Sequence, residues 1–206
     1  MDCRGIFAKL AAIVAALLLV ASPATAQFSD SYNFLKAVRD KDGDKVTQFV
    51  QGAAGSTLIN TKDYTSGDGA LHIVVKRRDD LWLRFLLGKG ANPNIRDRTG
   101  NTPLILASRL GFSEGIDALV SFKADVNLAN DNGETPLIIA VQARDLTCVR
   151  LLLASGADPS RSDHVAGLSA RDYAARDNRS AAVLRAIDEA AKAPAAPKRI
   201  LSGPGL

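Results

Sequence analysis

From about residue 30 to residue 192 the apolar positions fall into short stripes separated by polar turns, and the stripes come in pairs. In Thr102-Pro103-Leu104-Ile105-Leu106-Ala107 the threonine is placed to cap a helix. The proline takes the first helical position, where its missing N–H costs nothing. Leu104 and Ala107 stand three apart and share one helix face, with Ala107 small enough to let a neighbouring helix approach closely. Gly111 ends this predicted helix and Ser113 is placed to cap a second, in which Ile116, Leu119 and Val120 form an apolar stripe. One such helix pair cannot bury its own faces, so the pattern calls for stacked copies.

Copies are present at a fixed period. Gly100-Asn101-Thr102-Pro103-Leu104-Ile105-Leu106-Ala107 returns 33 residues later as Gly133-Glu134-Thr135-Pro136-Leu137-Ile138-Ile139-Ala140. A looser copy lies one period earlier at Gly67-Asp68-Gly69-Ala70-Leu71-His72-Ile73-Val74. Another follows, after one inserted residue, at Gly167-Leu168-Ser169-Ala170-Arg171-Asp172-Tyr173-Ala174. A second block, Gly90-Ala91-Asn92-Pro93-Asn94, returns as Lys123-Ala124-Asp125-Val126-Asn127 and Gly156-Ala157-Asp158-Pro159-Ser160. Two independent blocks on one period make the repeat the organising feature of the chain.

These residues resemble the ankyrin repeat, with its turn, its Thr-Pro-Leu helix start and its Gly-Ala-Asp loop. The resemblance implies an all-α ankyrin-repeat solenoid of about five helix-turn-helix repeats within residues 27–192. Their bounds fall at about 30–63, 64–97, 98–130, 131–163 and 164–192. Repeats three and four match closely. Repeat two departs, with Gly69-Ala70-Leu71-His72 at the helix start and Arg78-Asp79 where a glycine usually opens the second helix. Repeat one keeps only the two-helix pattern, with a longer loop at Gly52–Ser56, and repeat five lacks the closing loop. Atypical ends suit terminal repeats that cap a stack.

Outside the repeats, Arg4 and Lys9 flank a basic start, Leu10–Ala21 is uninterrupted apolar sequence, and Ala24-Thr25-Ala26 is a small-x-small end. Residues 1–26 are therefore a predicted signal peptide, cleaved after Ala26. A bilayer takes roughly 20 apolar residues to cross, so this run is short for a membrane helix. The alternative is an uncleaved N-terminal anchor. Cys3 precedes the apolar run, the wrong place for lipidation at the cleavage site. Losing Arg4, Lys9 and Asp2 lowers the formal charge from +4 to +3 and leaves Cys148 as the one thiol. No intramolecular disulfide can form, so stability must come from packing, for which 180 residues suffice. The short Ala-rich leader and the lack of disulfides point to the periplasm of a Gram-negative bacterium, with secretion as the alternative. Residues 193–206, rich in Ala, Pro and Gly, read as a flexible tail.

Hydrophobic residues make up 47% and charged residues 23%, a globular balance, and with aromatics at 5% the core must be Ala, Leu, Val and Ile. Catalytic chemistry is missing from the pattern. His72 and His164 lie almost three repeats apart with no Cys or His at ligand spacing, so neither a metal nor a cofactor is expected. By the resemblance, His72 hydrogen-bonds neighbouring loop backbone and ties adjacent repeats together. His164 reads as a solvated residue at a hairpin tip. Cys148, mid-helix, reads as a small buried hydrophobe, with a redox role as the lesser alternative. Gly88-Lys89-Gly90 lacks the upstream Gly and following Ser/Thr of a phosphate loop and matches the loop closing repeat two. Asp79-Asp80 reads as a helix cap. Trp82 aligns with Gly115 and Cys148, which predicts large-into-small packing between helices. Asn178-Arg179-Ser180 fits a glycosylation acceptor, relevant only in a eukaryotic secretory route.

The resemblance places binding at hairpin tips and first-helix ends lining a concave face. Its adaptable positions carry over to Tyr64, Asp68, Lys76 and Arg77 in repeat two. Arg96, at the end of that repeat, joins Arg98, Asn101, Arg109 and Leu110 of repeat three, and Asp131, Asn132 and Glu134 of repeat four follow. Lys76, Arg77, Arg98 and Arg109, with Arg96 one tip away, form a predicted basic patch beside the acidic tip of Asp131 and Glu134. Bases in a helix's last turn complement its dipole, an account that does not reach Arg96 and Arg98 on a hairpin. The resulting reading is a non-enzymatic protein-binding scaffold or accessory factor in the periplasm. Its partner is another protein with an acidic surface, engaged through anchors such as Tyr64 or Leu110. Nucleic acid and a small-molecule substrate are not expected. A membrane enters only if the N-terminal segment stays attached, in which case the chain is a tethered structural protein.

Overall fold

A computed structural model describes residues 23–52 and 55–192. In chain order the helices are α1 (Pro23–Asp40), α2 (Gly43–Gln51), α3 (Gly55–Leu58), α4 (Ala70–Lys76), α5 (Asp80–Gly88) and α6 (Pro103–Leu110). There follow α7 (Ser113–Ser121), α8 (Pro136–Gln142), α9 (Leu146–Ala154), α10 (Ala170–Arg176), a 3-10 turn (Asn178–Ser180) and α11 (Ala181–Lys192). Among the described residues there is no strand, only two isolated antiparallel bridges, Lys62 to Gly69 and Ser162 to Ser169. The first helices α1, α4, α6, α8 and α10 stack in one layer, and α5, α7, α9 and α11 stack in a second. The predicted signal peptide lies outside the described residues up to residue 22, and Pro23–Ala26 belongs to α1. The predicted tail, 193–206, lies wholly outside them.

Local chemistry sets the helix starts. The hydroxyls of Thr102 and Thr135 each accept the N–H three residues on at 3.2 Å, ahead of Pro103 and Pro136 in the first helical turn. Ser169 does the same for α10, and Asp172 returns a bond to the Ser169 N–H. Gly69 has no side chain to offer in repeat two, and there the ring of His72 accepts the Gly69 N–H at 3.1 Å. The second helices α2, α5 and α9 are capped by Asp42, Asp79 and Asp145.

In α7 the expectation fails. Phe112 stands at the cap position without a side-chain bond, and Ser113 is already helical, its hydroxyl on Glu114. The reason is packing: Phe112 is buried, and its ring lies over Gly115, where an added Cβ would come within 2.3 Å of it. That also corrects the pairing predicted for Trp82. The space at Gly115 belongs to Phe112, while Trp82 is half-buried against the edge of Phe85, ring centroids 5.5 Å apart. The predicted Gly52–Ser56 loop differs as well, because its end is absorbed into α3.

Gly111 terminates α6 in the left-handed region, φ +64°, as its position required. Lys41, Arg78 and Arg144 take the same conformation at the matching turns, φ +60°, +55° and +58°. The core is aliphatic: Leu71, Leu104 and Leu137 recur at one position, and Val74, Ala107 and Ala140 at another, all buried. Each fully buried Leu contributes about 1.5–3 kcal/mol relative to exposure.

Candidate functional site

Four hairpin tips project ahead of α4, α6, α8 and α10, each nucleated by one Asx side chain. Asp63 Oδ1 accepts the N–H groups of Thr65 and Ser66, Asp97 those of Thr99 and Asn101, and Asn130 those of Asn132 and Glu134. Asp163 accepts from Val165, Ala166 and Gly167. The bonds from the Ser66 N–H and from Arg39 hold the Asp63 carboxyl down at about 2. Neighbouring tips are joined through backbone: Arg98 N–H to Ser66 C=O (3.4 Å), Asp131 N–H to Thr99 C=O (3.2 Å), His164 N–H to Asn132 C=O (2.8 Å). At the loops closing each repeat, Asn60, Asn94 and Asn127 accept from the N–H groups of Asn92, Asp125 and Asp158 at 2.7–2.8 Å. Those bonds give the second repeating sequence block its physical purpose.

Behind the tips runs a buried polar chain. His72 is fully buried; its Nδ1 accepts the Gly69 N–H, so Nε2 carries the proton and donates to the Asn101 C=O at 3.0 Å. Burial holds its pKa below the ordinary histidine value. Asn101 Oδ1 accepts from Asn130 Nδ2 (3.1 Å) and Arg109 Nη2 (3.3 Å), and Asn130 Nδ2 reaches Glu134 at 2.8 Å. The tie between repeats expected of His72 is thus present, and it extends through three repeats.

The predicted patch separates into two kinds of cation. Lys76 donates to both Asp68 oxygens at 2.8 and 2.7 Å, Asp68 itself being nearly buried. Arg77 Nη1 donates to the carbonyls of Val38 and Arg39, 2.9 Å each, in the last turn of α1. Arg96 pairs with Asp131 at 2.8 Å and donates to the Ala129 carbonyl. In contrast, among the described residues Arg98 donates to the Tyr64 carbonyl, with its guanidinium 5.7 Å over that ring, and Arg109 donates to Asn101. The structure therefore places Tyr64 (78% exposed) and Arg98 on the first and second tips and brings Arg109 to the second, with Leu110 (40% exposed) next to Arg109 at the end of α6. Asp131 and Asn132 are exposed on the fourth repeat's tip, whereas Asn101 and Glu134 serve the internal chain.

Sequence reasoning missed Asp63, Asp97, Asn130 and Asp163, the residues that shape the tips. Their near-regular spacing was the available signal. Arg39, bonded to Asp63 at 2.7 Å, was missed too, although it holds the helix-end position of Lys76 and Arg109.

Elsewhere the chemistry is quiet. Cys148 is fully buried, and burial followed by the neighbouring Asp145 pushes its thiol up to about 12, so it stays protonated at neutral pH. His164 is exposed, its ring against Gly133. Among the described residues no three His, Cys, Asp or Glu side chains are placed to hold a metal ion. None of the described helices is long and apolar enough to cross a membrane. A surface hollow of about 250 Å³ beside Asn33, Ala37 and Phe49 is rimmed by the Lys36–Asp40 and Lys45–Asp42 ion pairs.

Comparison with known proteins agrees with this architecture. A family model described as ankyrin repeats (3 copies) matches residues 34–130, 71–163 and 118–190. The chain is 35% identical over 135 residues to the human transient receptor potential cation channel subfamily A member 1, covering 65% of this chain and 12% of the channel. It is 30% identical over 143 residues to a putative ankyrin repeat-containing protein of Treponema pallidum, 69% of this chain and 46% of that protein. It is 28% identical over 154 residues to the chicken nuclear factor NF-kappa-B p105 subunit, 66% of this chain and 16% of that subunit. The chain thus spans less than half the length of each of these relatives. Ankyrin repeats generally mediate protein–protein interaction and are generally non-catalytic. With its 33-residue period, capped helix pairs and bonded hairpin row, the chain belongs to the ankyrin repeat family.

Proposed function

We propose that the chain is a non-enzymatic binding scaffold for another protein, working in the periplasm and presenting the row of hairpin tips to that partner. The observation that carries this reading is the rigidity of the row. Each tip is pinned by its own Asx residue and by a backbone bond to the next, yet Tyr64, Arg98, Thr99, Asp131 and Asn132 point exposed side chains outward. A preorganised surface binds without a large ordering cost. The basic start, apolar run and small-x-small end at residues 1–26 support export, and the cations of the tips favour a partner with an acidic surface. If the apolar run Leu10–Ala21 is retained, the same scaffold stands tethered to the membrane. Intact mass of the exported chain separates the two: a chain beginning at Gln27 supports the free scaffold, and a full-length chain supports the tether.

The binding face is tested by affinity capture from a periplasmic extract with wild type and with a Tyr64→Ala/Asn132→Ala variant. Both side chains are exposed and lie outside the helices, so the variant should stay folded, which its melting checks. A partner held by the wild type and lost by the variant is the expected result. Equal recovery on both would move binding off the tips.

A further inference from the structure

We infer that Arg98 and Arg109 form the partner-reading pair of this chain, and that they take the carboxylates of an acidic protein loop. The inference rests on the protein-binding reading above and narrows it to one place. The predicted basic patch contains five cations, and three are already engaged with acceptors of the protein itself. Lys76 is closed on Asp68, Arg96 is closed on Asp131, and Arg77 is inserted onto two backbone carbonyls of α1. Arg98 and Arg109 have no carboxylate partner among the described residues. Each donates one bond to a neutral oxygen, that of the Tyr64 carbonyl or of the Asn101 amide. A guanidinium carries five N–H donors, so most of each fork faces outward.

The two sit around a single tip. Arg98 lies on the hairpin that Asp97 nucleates, and Arg109 reaches Asn101, the residue closing that hairpin. Asn101 is held by Asp97 and Asn130, so Arg109 is aimed by a buried network. Arg98 is aimed by stacking over Tyr64. Planar forks held in place match carboxylates bidentately, which a lysine ammonium does not. Exposed apolar surface lies beside each arginine, Tyr64 under Arg98 and Leu110 next to Arg109 in the chain, and would take an apolar residue of the same loop. The carboxylates of Asp97 and Glu134, on the hairpin of Arg98 and the next one, repel an extended polyanion. A short acidic peptide segment can place its charge on two forks and avoid them; a nucleic acid or an anionic bilayer, which needs many contacts at once, cannot.

The test is selection from a random dodecapeptide library on the full chain, followed by binding measurements on three variants whose melting is checked. Peptides selected on wild type should be enriched in Asp and Glu beside an apolar residue. They should bind Arg98→Ala/Arg109→Ala at least tenfold more weakly, and an Arg150→Ala/Arg185→Ala control on the second-layer helices as wild type. Arg98→Lys/Arg109→Lys keeps charge and stem and removes the fork, and it too should lose most of the affinity. Peptides without acidic enrichment, or undiminished binding to either Arg98/Arg109 variant, would overturn the pair while leaving a protein-binding scaffold in place. Failure to recover any peptide on the folded chain would count against both readings. A single-stranded oligonucleotide or phosphatidylglycerol vesicles bound as tightly as the peptides, and released in the alanine variant, would replace the carboxylate by a phosphate ligand.

Discussion

His72 illustrates how one side chain couples two repeats. Its ring accepts from Gly69 and donates to Asn101, and both bonds need the neutral tautomer. Protonation turns Nδ1 into a second donor facing the Gly69 N–H, inside a site that burial already makes hostile to charge. The folded pKa lies below the unfolded value of 6.5, so the unfolded chain binds the proton first. Stability is then complete above about pH 6.5 and is lost as pH falls below that value toward the folded pKa. A His72→Gln variant should be less stable at pH 7 by about 1–3 kcal/mol, through its unmade buried bonds. It should also lose the fall in stability expected of wild type between pH 7 and 5. Parallel denaturation curves for the two proteins across that range would remove His72 as the titrating group. The residue type was legible from its place in the repeat; its tautomer and its link to Arg109 through Asn101 needed the structure.

At the scale of the element, caps and turns were read correctly where local spacing alone decides them. Thr102, Asp79 and Gly111 act as their positions demand. Helix α7 departs because its first turn answers to a contact rather than to a cap. The Phe112 ring occupies the volume that a side chain at 115 would need. Gly115→Ala makes the contrast measurable. Helix propensity alone would favour alanine by about 1 kcal/mol. The buried ring opposes it by about 1–3 kcal/mol of overpacking. A net loss of stability in denaturant unfolding is expected, and a gain would mean that Phe112 can give way.

Across the whole molecule, stability is carried by neighbouring pairs of repeats, and the ends are where it is thinnest. Repeat one is joined to the stack by α1 packing on α4 and by Arg77, which caps the last carbonyls of α1 from the next repeat. Arg77→Ala should expose those carbonyls, costing about 1–3 kcal/mol. In hydrogen exchange the loss of protection should concentrate in α1 and α2, with α6 to α9 as in wild type. Uniform loss, or none, would show that the arginine is not the clamp. Its place in the predicted binding patch is the clearest case of a reading that charge alone could not resolve. A joint alanine change at Lys76, Arg77, Arg98 and Arg109 would loosen repeat one as well as strip the surface.

The period of 33, the paired helices, the caps and the aliphatic core followed from the amino-acid order by itself. Each depends on spacings of a few residues, repeated often enough that one weak copy hardly matters. Which cations face a partner was decided only by the tertiary structure. Lys76 finds its acceptor 8 residues away, Arg96 finds Asp131 at a separation of 35, and Arg77 finds Val38 at 39. Long flexible side chains of one charge look alike along a chain. They become clamp, ion pair or open fork only when stacking brings a carbonyl, a carboxylate or solvent to their tips.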